Sequence, residues 1–124
     1  MITEEPLLPE AAINRVKDGR SGCVVTYVGV IRGESRGKKV LAVEYRDSRG
    51  TAEEKLRTIG REIRQKWPIN NIVICHRTGK LKVGEINLVV AVASAHRREG
   101  FAACQYAIDA FKQTAPTEKK ESYI

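Results

Sequence analysis

The sequence is poor in cysteine and lacks long apolar runs. Its three cysteines, Cys23, Cys75 and Cys104, lie far apart without a Cys-x-x-Cys pair, so they indicate neither a disulfide framework nor a zinc site. We interpret them as free, buried thiols. The apolar stretch 88–93 is far shorter than the roughly 20 residues of a membrane-spanning helix, and the acidic segment 1–6 does not resemble a secretory signal. These absences predict a cytoplasmic protein without a membrane segment.

Aromatic residues are also scarce, at 6% of the chain, whereas the formal net charge is +7. A positive charge favours nucleic acid, phosphorylated metabolites or acidic proteins as partners. Nucleic-acid-binding modules commonly expose aromatic side chains for base stacking, yet Tyr27, Tyr45 and Phe101 lie in apolar patterns that predict burial. We therefore favour an anionic small molecule, and keep a small basic nucleic-acid-binding module as the alternative.

Length and periodicity predict a single α+β domain over residues 1–124, with a basic C-terminal tail at 115–124. Helical spacing predicts helices at 9–17, 51–66 and about 97–114, and β-branched runs predict strands at 22–31, 40–45, 71–76 and 86–94. The apolar stripe of the last helix is predicted to consist of Phe101, Cys104, Ile108 and Phe111. The mixture of strands and helices does not alternate regularly, which argues against a doubly wound parallel sheet.

Three local features are predicted within these elements. Gly29 interrupts the first strand, which indicates a bulge or a close backbone approach. The polar, glycine-flanked loop 33–39 predicts that the strands before and after it pair like a hairpin. Thr51 stands where a side chain can cap the second helix.

Candidate functional residues follow the last long strand. His96 and Arg97 lie where that strand gives way to a helix, and the free N–H groups of a helix start favour anions. An imidazole there is also suited to proton transfer near neutral pH, although a structural cap is the alternative. Lys112 borders the apolar stripe, where partial desolvation would suit it to acid–base chemistry, and a lysine with its head in water is the alternative.

An ordered series of motifs between Gly22 and Glu121 resembles the large, catalytic subunit of molybdopterin synthase. The motifs are Gly22-x-Val24-Val25-Thr26-Tyr27-Val28-Gly29-x-x-Arg32, Glu44-Tyr45, Ala52-Glu53, Trp67-Pro68, His76-Arg77-x-Gly79-x-Leu81-x-x-Gly84-Glu85, Ser94-Ala95-His96-Arg97, Phe101, Ile108-Asp109, Lys112 and Pro116-x-x-Lys119-Lys120-Glu121. The sequence departs from the family pattern at Thr117, at Glu118 and at the pair Ser48-Arg49.

The resemblance implies an α/β-hammerhead fold and a sulfurtransferase of molybdenum-cofactor biosynthesis. Such an enzyme converts cyclic pyranopterin monophosphate, or precursor Z, into the dithiolene molybdopterin. The implied sulfur donor is the C-terminal Gly-Gly thiocarboxylate of a small ubiquitin-like subunit, and the implied assembly is a homodimer of large subunits within a heterotetramer. No cofactor or metal ion is expected.

Carried over by position, the family's site residues are five cationic or titratable side chains. Lys112 and Lys119 take the catalytic role, and Arg32, His96 and Arg97 take the substrate-binding role. Because a phosphorylated pterin and a thiocarboxylate are both anionic, several cations are needed to bring them together. Retention of all five residues argues against a non-catalytic relative that only binds the small subunit.

Overall fold

The computed structural model describes all 124 residues, with three helices and eight strands. The helices are α1 (Pro9–Val16), α2 (Ala52–Lys66) and α3 (Arg97–Thr114), and the strands are β1 (Ile2–Thr3), β2 (Cys23–Val30), β3 (Glu34–Ser35), β4 (Lys38–Arg46), β5 (Asn71–Arg77), β6 (Gly79–Lys82), β7 (Ile86–Ser94) and β8 (Glu118–Tyr123). The predicted α+β fold with three helices and mixed sheets is confirmed. None of the helices is both long and apolar enough to cross a membrane.

The first sheet has the strand order β1-β5-β7-β2. Its central strand β7 pairs antiparallel with β5 and β2, whereas β1 pairs parallel with β5. Helices α2 and α3 cover one face of the sheet and α1 covers the other. Because β7 is covered on both faces, its residues from Leu88 to Ser94 are all buried, which explains the near-continuous apolar run in the sequence.

Helix α3 lies close to this sheet because its buried face is made mostly of small residues. The face consists of Gly100, Ala103, Cys104, Ala107 and Phe111. A Cβ atom on Gly100 would lie 2.9 Å from Ser94 Oγ and 3.0 Å from Val25 Cγ2. The predicted stripe was therefore wrong at Phe101, which is 61% exposed. The small residues, rather than the large apolar ones, mark the centre of the buried face.

The second sheet is built around β4. This strand pairs antiparallel with β3, β6 and β8, and a small core of Ile31, Val40, Val43, Tyr45 and Leu81 forms around it. The segment predicted as a basic tail is therefore a strand, β8, from Glu118 to Tyr123. Its pairing with β4 gives the cationic segment a fixed place in the fold.

The predicted hairpin between the strands 22–31 and 40–45 is wrong. β2 pairs with β7 along its whole length, while the tight turn lies further on, between β3 and β4. Arg36 and Gly37 have φ values of 53° and 76° there, and two successive residues with positive φ are typical of a type I′ hairpin turn. The loop thus forms its own short hairpin and leaves β2 in the first sheet.

The N-terminus of α2 also differs from the prediction. Thr51 occupies the N-cap position, but its side chain makes no capping hydrogen bond. Instead the backbone N–H of Ala52 donates to Asp47 Oδ1 at 3.3 Å. The Asp47 carboxylate, rather than the predicted Thr51 hydroxyl, therefore caps the start of α2.

Candidate active site

A cleft of about 620 Å³ opens where the two sheets meet the C-terminal end of α3. Three cations and three aromatic residues line it, namely Arg32, Lys112, Lys119, Tyr27, Tyr45 and Phe111. Three of the five predicted site residues therefore share one cleft, although they lie far apart in the sequence. A cleft with aromatic walls and a few convergent charged groups is the usual form of a small-molecule site.

A β-bulge in β2 precedes Arg32. The register with β7 shifts between Gly29 and Val30, as predicted from the glycine. Gly29 also lines the cleft, and a Cβ atom there would lie 3.0 Å from Asn87 Oδ1 and 3.1 Å from the Tyr27 ring. The glycine therefore keeps this wall of the cleft open, and Arg32 follows directly at the exit of the strand.

A reversal of the chain after α3 brings the two lysines to the same cleft. Lys112 lies in the last turn of α3, and Ala115 has a left-handed φ of 45°, with its N–H donating to Phe111 C=O at 3.0 Å. The chain then returns through Pro116 and Thr117, which are buried, into β8. In β8, Lys119 pairs with Tyr45 of β4.

The cleft cations form no close ion pairs, although the charge of Lys119 acts on the Glu121 carboxyl group. All three are exposed, and none takes part in the five ion pairs of the protein. Glu118 is close in sequence but accepts a hydrogen bond from the Ser48 hydroxyl, which lowers the pKa of its carboxyl group. Two departures from the family pattern therefore contact each other, outside this cleft. The positive charge of the cleft suits an anionic ligand.

A buried histidine lies beneath the cleft. His76 is 0% exposed, and its ring makes edge contacts with Tyr45 and Phe111, each at a centroid distance of 4.9 Å. Nδ1 lies 2.9 Å from the Asn87 carbonyl oxygen, and Nε2 lies 2.8 Å from the Thr117 hydroxyl. The Asn87 side chain in turn donates to the Tyr45 hydroxyl at 3.1 Å.

The surroundings of His76 define its protonation state. Burial lowers the pKa of the imidazole, although the Asn87 carbonyl opposes this effect, so the ring is neutral at pH 7. A carbonyl oxygen only accepts hydrogen bonds, so Nδ1 carries the proton and Nε2 is an acceptor. The Thr117 hydroxyl must therefore donate to Nε2. This assigns a direction to each bond beneath the cleft.

The other two predicted site residues lie at the opposite end of α3. His96 is the N-cap residue of the helix and Arg97 is its first residue, and both are exposed. With a rise of about 1.5 Å per residue, Arg97 lies about 22 Å from Lys112 along the helix axis. Within one chain, His96 and Arg97 therefore do not reach the cleft.

Sequence reasoning missed the polar residues beneath the cleft. His76 and Asn87 entered only as parts of strands or of the resemblance, and Thr117 only as a departure from it. The available signal was a histidine inside the apolar strand 71–77, because a buried polar side chain requires partners. The partners of His76 are Asn87 and Thr117. They reach it only because β5 pairs with β7 and because the chain returns to the sheet after α3, and the spacing of residues in the sequence reveals neither.

Comparison with known families decides the relationship. The family model described as MoaE protein matches residues 2–114. The chain belongs to this family. Among MoaE relatives, the molybdopterin synthase catalytic subunit of Nostoc sp. is 42% identical over 123 residues, which cover 98% of this chain and 74% of that protein. The human protein of the same name is 39% identical over 121 residues, covering 98% of this chain and 64% of that protein.

Solved structures agree with this assignment to the MoaE family. The crystal structure of molybdopterin synthase from Staphylococcus aureus matches with a TM-score of 0.93 and 35% identity, covering 99% of this chain and 90% of that chain. A complex of subunits 1 and 2 of the molybdopterin-converting factor from Helicobacter pylori shares the fold, with a TM-score of 0.67 and 16% identity. The family, fold and enzyme class predicted from sequence are confirmed.

Proposed function

We propose that this protein is the catalytic subunit of a molybdopterin synthase. It transfers sulfur from the C-terminal thiocarboxylate of a small ubiquitin-like subunit to cyclic pyranopterin monophosphate and so forms the dithiolene of molybdopterin. The observation that carries the proposal is the convergence of Arg32, Lys112 and Lys119, none of which forms a close ion pair, on one cleft of a MoaE-family chain. The cytoplasmic location expected from the sequence stays a prediction.

The cleft residues suit the chemistry of two anionic reactants. Arg32 offers a planar fork of N–H donors that matches a phosphate group. Opening of the cyclic phosphate and departure of oxygen after sulfur attack both require protons, which Lys112 supplies with the help of Lys119. Lys112 is exposed in the single chain. The partial desolvation that the sequence predicted around Lys112 is therefore absent in the single chain.

The sulfur comes from the partner rather than from a cysteine of this chain. Cys23, Cys75 and Cys104 are all free, but the prediction that all three are buried was wrong at Cys23, which is half-buried. None of them lines the cleft. Burial raises the pKa of the Cys104 thiol to about 11 and also raises that of Cys75. A thiol that remains protonated at neutral pH is a poor nucleophile, which favours an external sulfur donor.

A second copy of the chain supplies His96 and Arg97. Neither residue reaches the cleft of its own chain, so their role in substrate binding requires a homodimer in which one chain's helix start meets its partner's cleft. Phe101, one turn after Arg97 on α3, is 61% exposed, and burial of such a side chain favours association. A small subunit bound to each large subunit completes the proposed heterotetramer.

A nucleic-acid-binding module remains the competing function, and the structure offers little for it. Tyr45 is buried and Tyr27 is half-buried at the cleft, so only Phe101 of the three aromatic residues considered above is exposed. Nucleic acid should therefore bind weakly, without sequence preference, and with an affinity that falls steeply with salt. A nanomolar, sequence-selective complex at physiological salt would favour the competing function.

The direct test is conversion of cyclic pyranopterin monophosphate by the purified protein with a thiocarboxylated small subunit. Because the dithiolene contains two sulfur atoms and each thiocarboxylate supplies one, one molybdopterin should form for every two thiocarboxylates consumed. Two control subunits are matched to it: one ends in Gly-Gly with an ordinary carboxylate, and one lacks both glycines. The first should bind without reacting, and the second should bind measurably more weakly by calorimetry. Failure of the thiocarboxylated subunit to yield molybdopterin would refute the proposed function.

A further inference from the structure

The segment between α3 and β8 is attached to the first sheet by one side-chain hydrogen bond. Pro116 has no N–H group to donate, and Glu118 reaches away to Ser48. Thr117 alone points beneath the cleft, where its hydroxyl bonds His76 Nε2 at 2.8 Å. Both partners are buried, so water does not compete for this bond.

The histidine end of this bond is held in place. His76 Nδ1 donates to the Asn87 carbonyl, and the ring lies between Tyr45 and Phe111 with interplanar angles of 83° and 75°. The Asn87, Tyr45 and Phe111 side chains themselves line the cleft. His76 therefore links the floor of the cleft to the segment that carries Lys119.

We propose that His76 is a positioning residue for the sulfur-transfer site, and that it acts through Thr117 to hold Lys119 opposite Lys112. Thr117 lies directly before β8, and both Thr117 and Lys119 line the cleft, so fixing Thr117 restrains the start of the strand that carries Lys119. The inference rests on the proposed function for the reaction, but the arrangement itself can be tested without it. A displacement of about 1 Å in such a group can cost up to a hundredfold in rate.

The test compares substitutions that remove or retain one partner of the hydrogen bond between Thr117 and His76. Thr117→Val removes the donor with almost no change in shape, Thr117→Ser retains it, and His76→Asn keeps a donor for the Asn87 carbonyl but lacks Nε2. Thr58→Val is the matched control, because it makes the same change on the exposed surface of α2. Thr117→Ala also removes the hydroxyl and serves if Thr117→Val does not fold.

Single-turnover molybdopterin formation and the affinity for the small subunit should separate positioning from binding. We expect Thr117→Val and His76→Asn each to slow the reaction about tenfold or more, with small-subunit affinity within about twofold of wild type. Thr117→Ser should restore most of the rate, and Thr58→Val should match wild type. Because both slow variants break the same bond, the double variant should be little slower than either one.

Nuclear magnetic resonance provides the readout that does not depend on activity. In the wild type, the ring ¹⁵N shifts of His76 should report a proton on Nδ1, and the backbone amides of 117–120 should be as ordered as those of β4. Thr117→Val should increase the mobility of 116–120, whereas Thr117→Ser should not. Unchanged order and an unchanged rate in Thr117→Val would overturn the proposal. If the wild type forms no molybdopterin while Thr117→Val still shows the expected increase in mobility, the proposed function is refuted and the positioning arrangement is supported.

Discussion

Lys112 combines two positions that rarely occur together. It lies in the last turn of α3, where the helix dipole favours a cation, and it also faces a cleft that contains two further cations and no acidic residue. Both features place a positive charge where the two anionic reactants are proposed to meet.

Substitution of Lys112 should separate proton transfer from simple electrostatics. Lys112→Ala should lower the rate of molybdopterin formation by roughly a hundredfold or more, the scale expected for a proton-transfer group, while dimerisation and small-subunit binding persist. Lys112→Arg should be almost as slow, because arginine keeps the charge but does not release its proton. Single-turnover assays give the comparison, and a near-wild-type rate in Lys112→Arg would leave only an electrostatic role.

His76 should make stability depend on pH in a defined window. Burial lowers the pKa of the folded imidazole below its ordinary value of 6.5, so below that pH the unfolded chain binds a proton that the native protein excludes. The stabilising contribution is complete above pH 6.5 and is lost as pH falls toward the folded pKa, by at most about 1.4 kcal/mol per pH unit. The charges that act on the ring are the N-terminal amine, which lowers its pKa further, and Asp47, which raises it.

Urea unfolding between pH 7.5 and 5 measures this contribution. The wild type should keep its stability down to about pH 6.5 and lose it below that pH, and His76→Asn should show a flatter profile, even though its overall stability is lower. Carboxyl groups such as Glu85, whose pKa is lowered by the Lys82 backbone and by Arg77, act at lower pH and are present in both proteins. Parallel profiles would show that His76 does not titrate in this range.

At the scale of elements, two helical glycines differ in what surrounds them. Gly100 of α3 lies against Ser94 and Val25, whereas Gly60 of α2 has no atom within 4 Å of the place that a Cβ would occupy. An alanine in a helix interior is favoured over glycine by about 1 kcal/mol. At Gly100 the gain is opposed by overpacking, which typically costs about 1–3 kcal/mol.

Alanine substitutions at these two glycines should therefore have opposite signs. Gly60→Ala should raise the free energy of unfolding by up to about 1 kcal/mol, and Gly100→Ala should lower it by up to about 2 kcal/mol. Urea midpoints of the two variants provide the measurement. An equal rise in both midpoints would mean that α3 moves away from the sheet without cost.

The long elements could be predicted from sequence, whereas the short strands could not. Periodicity identified α1, α2, α3, β2, β4, β5 and β7 because each is long enough to show one apolar face. β6 and β8 are short and polar, and they become strands only because β4 offers hydrogen-bonding partners on both edges. The mistaken hairpin between β2 and β4 had the same origin, since local turn chemistry does not determine which sheet a strand joins.

The residues of the candidate site could be predicted from the family resemblance, and less well from the chemistry of the individual residues. The motif series supplied Arg32, Lys112 and Lys119, and the fold brings them to one cleft. The same series supplied His96 and Arg97 but gave no sign that α3 would hold them at its other end. The distance between Arg97 and Lys112 is set by the length of α3, and the motif series does not show which end of that helix lies at the cleft.

At the scale of the whole molecule, the proposed homodimer predicts that each site draws residues from two chains. A Lys112→Ala homodimer lacks the lysine in both sites, and an Arg97→Ala homodimer lacks the arginine in both. In a mixed dimer, one site carries both substitutions and the other carries neither. Because random pairing makes half of the dimers mixed, co-expression should restore about a quarter of wild-type activity.

Co-expression of the two variants with different affinity tags allows this prediction to be checked on purified mixed dimers. Each variant alone should be nearly inactive, and the doubly purified mixed dimer should have about half the activity of wild type. A variant that carries both substitutions, co-expressed with wild type, is the control with the same composition and should give a dimer in which each site has one defect. Failure of the mixed dimer to recover activity would place all site residues in one chain.

The pairing of β8 with β4 also sets an order in time. Lys119 joins the cleft only when Glu118–Tyr123 pairs with Lys38–Arg46, across more than half of the chain, whereas β7 and α3 are neighbours in the sequence. During synthesis β8 can therefore pair with β4 only after the segment between them, which contains α2, β7 and α3, has been made. A nascent chain that stops before Glu118 lacks one of the three cleft cations, and we expect it to be unable to react.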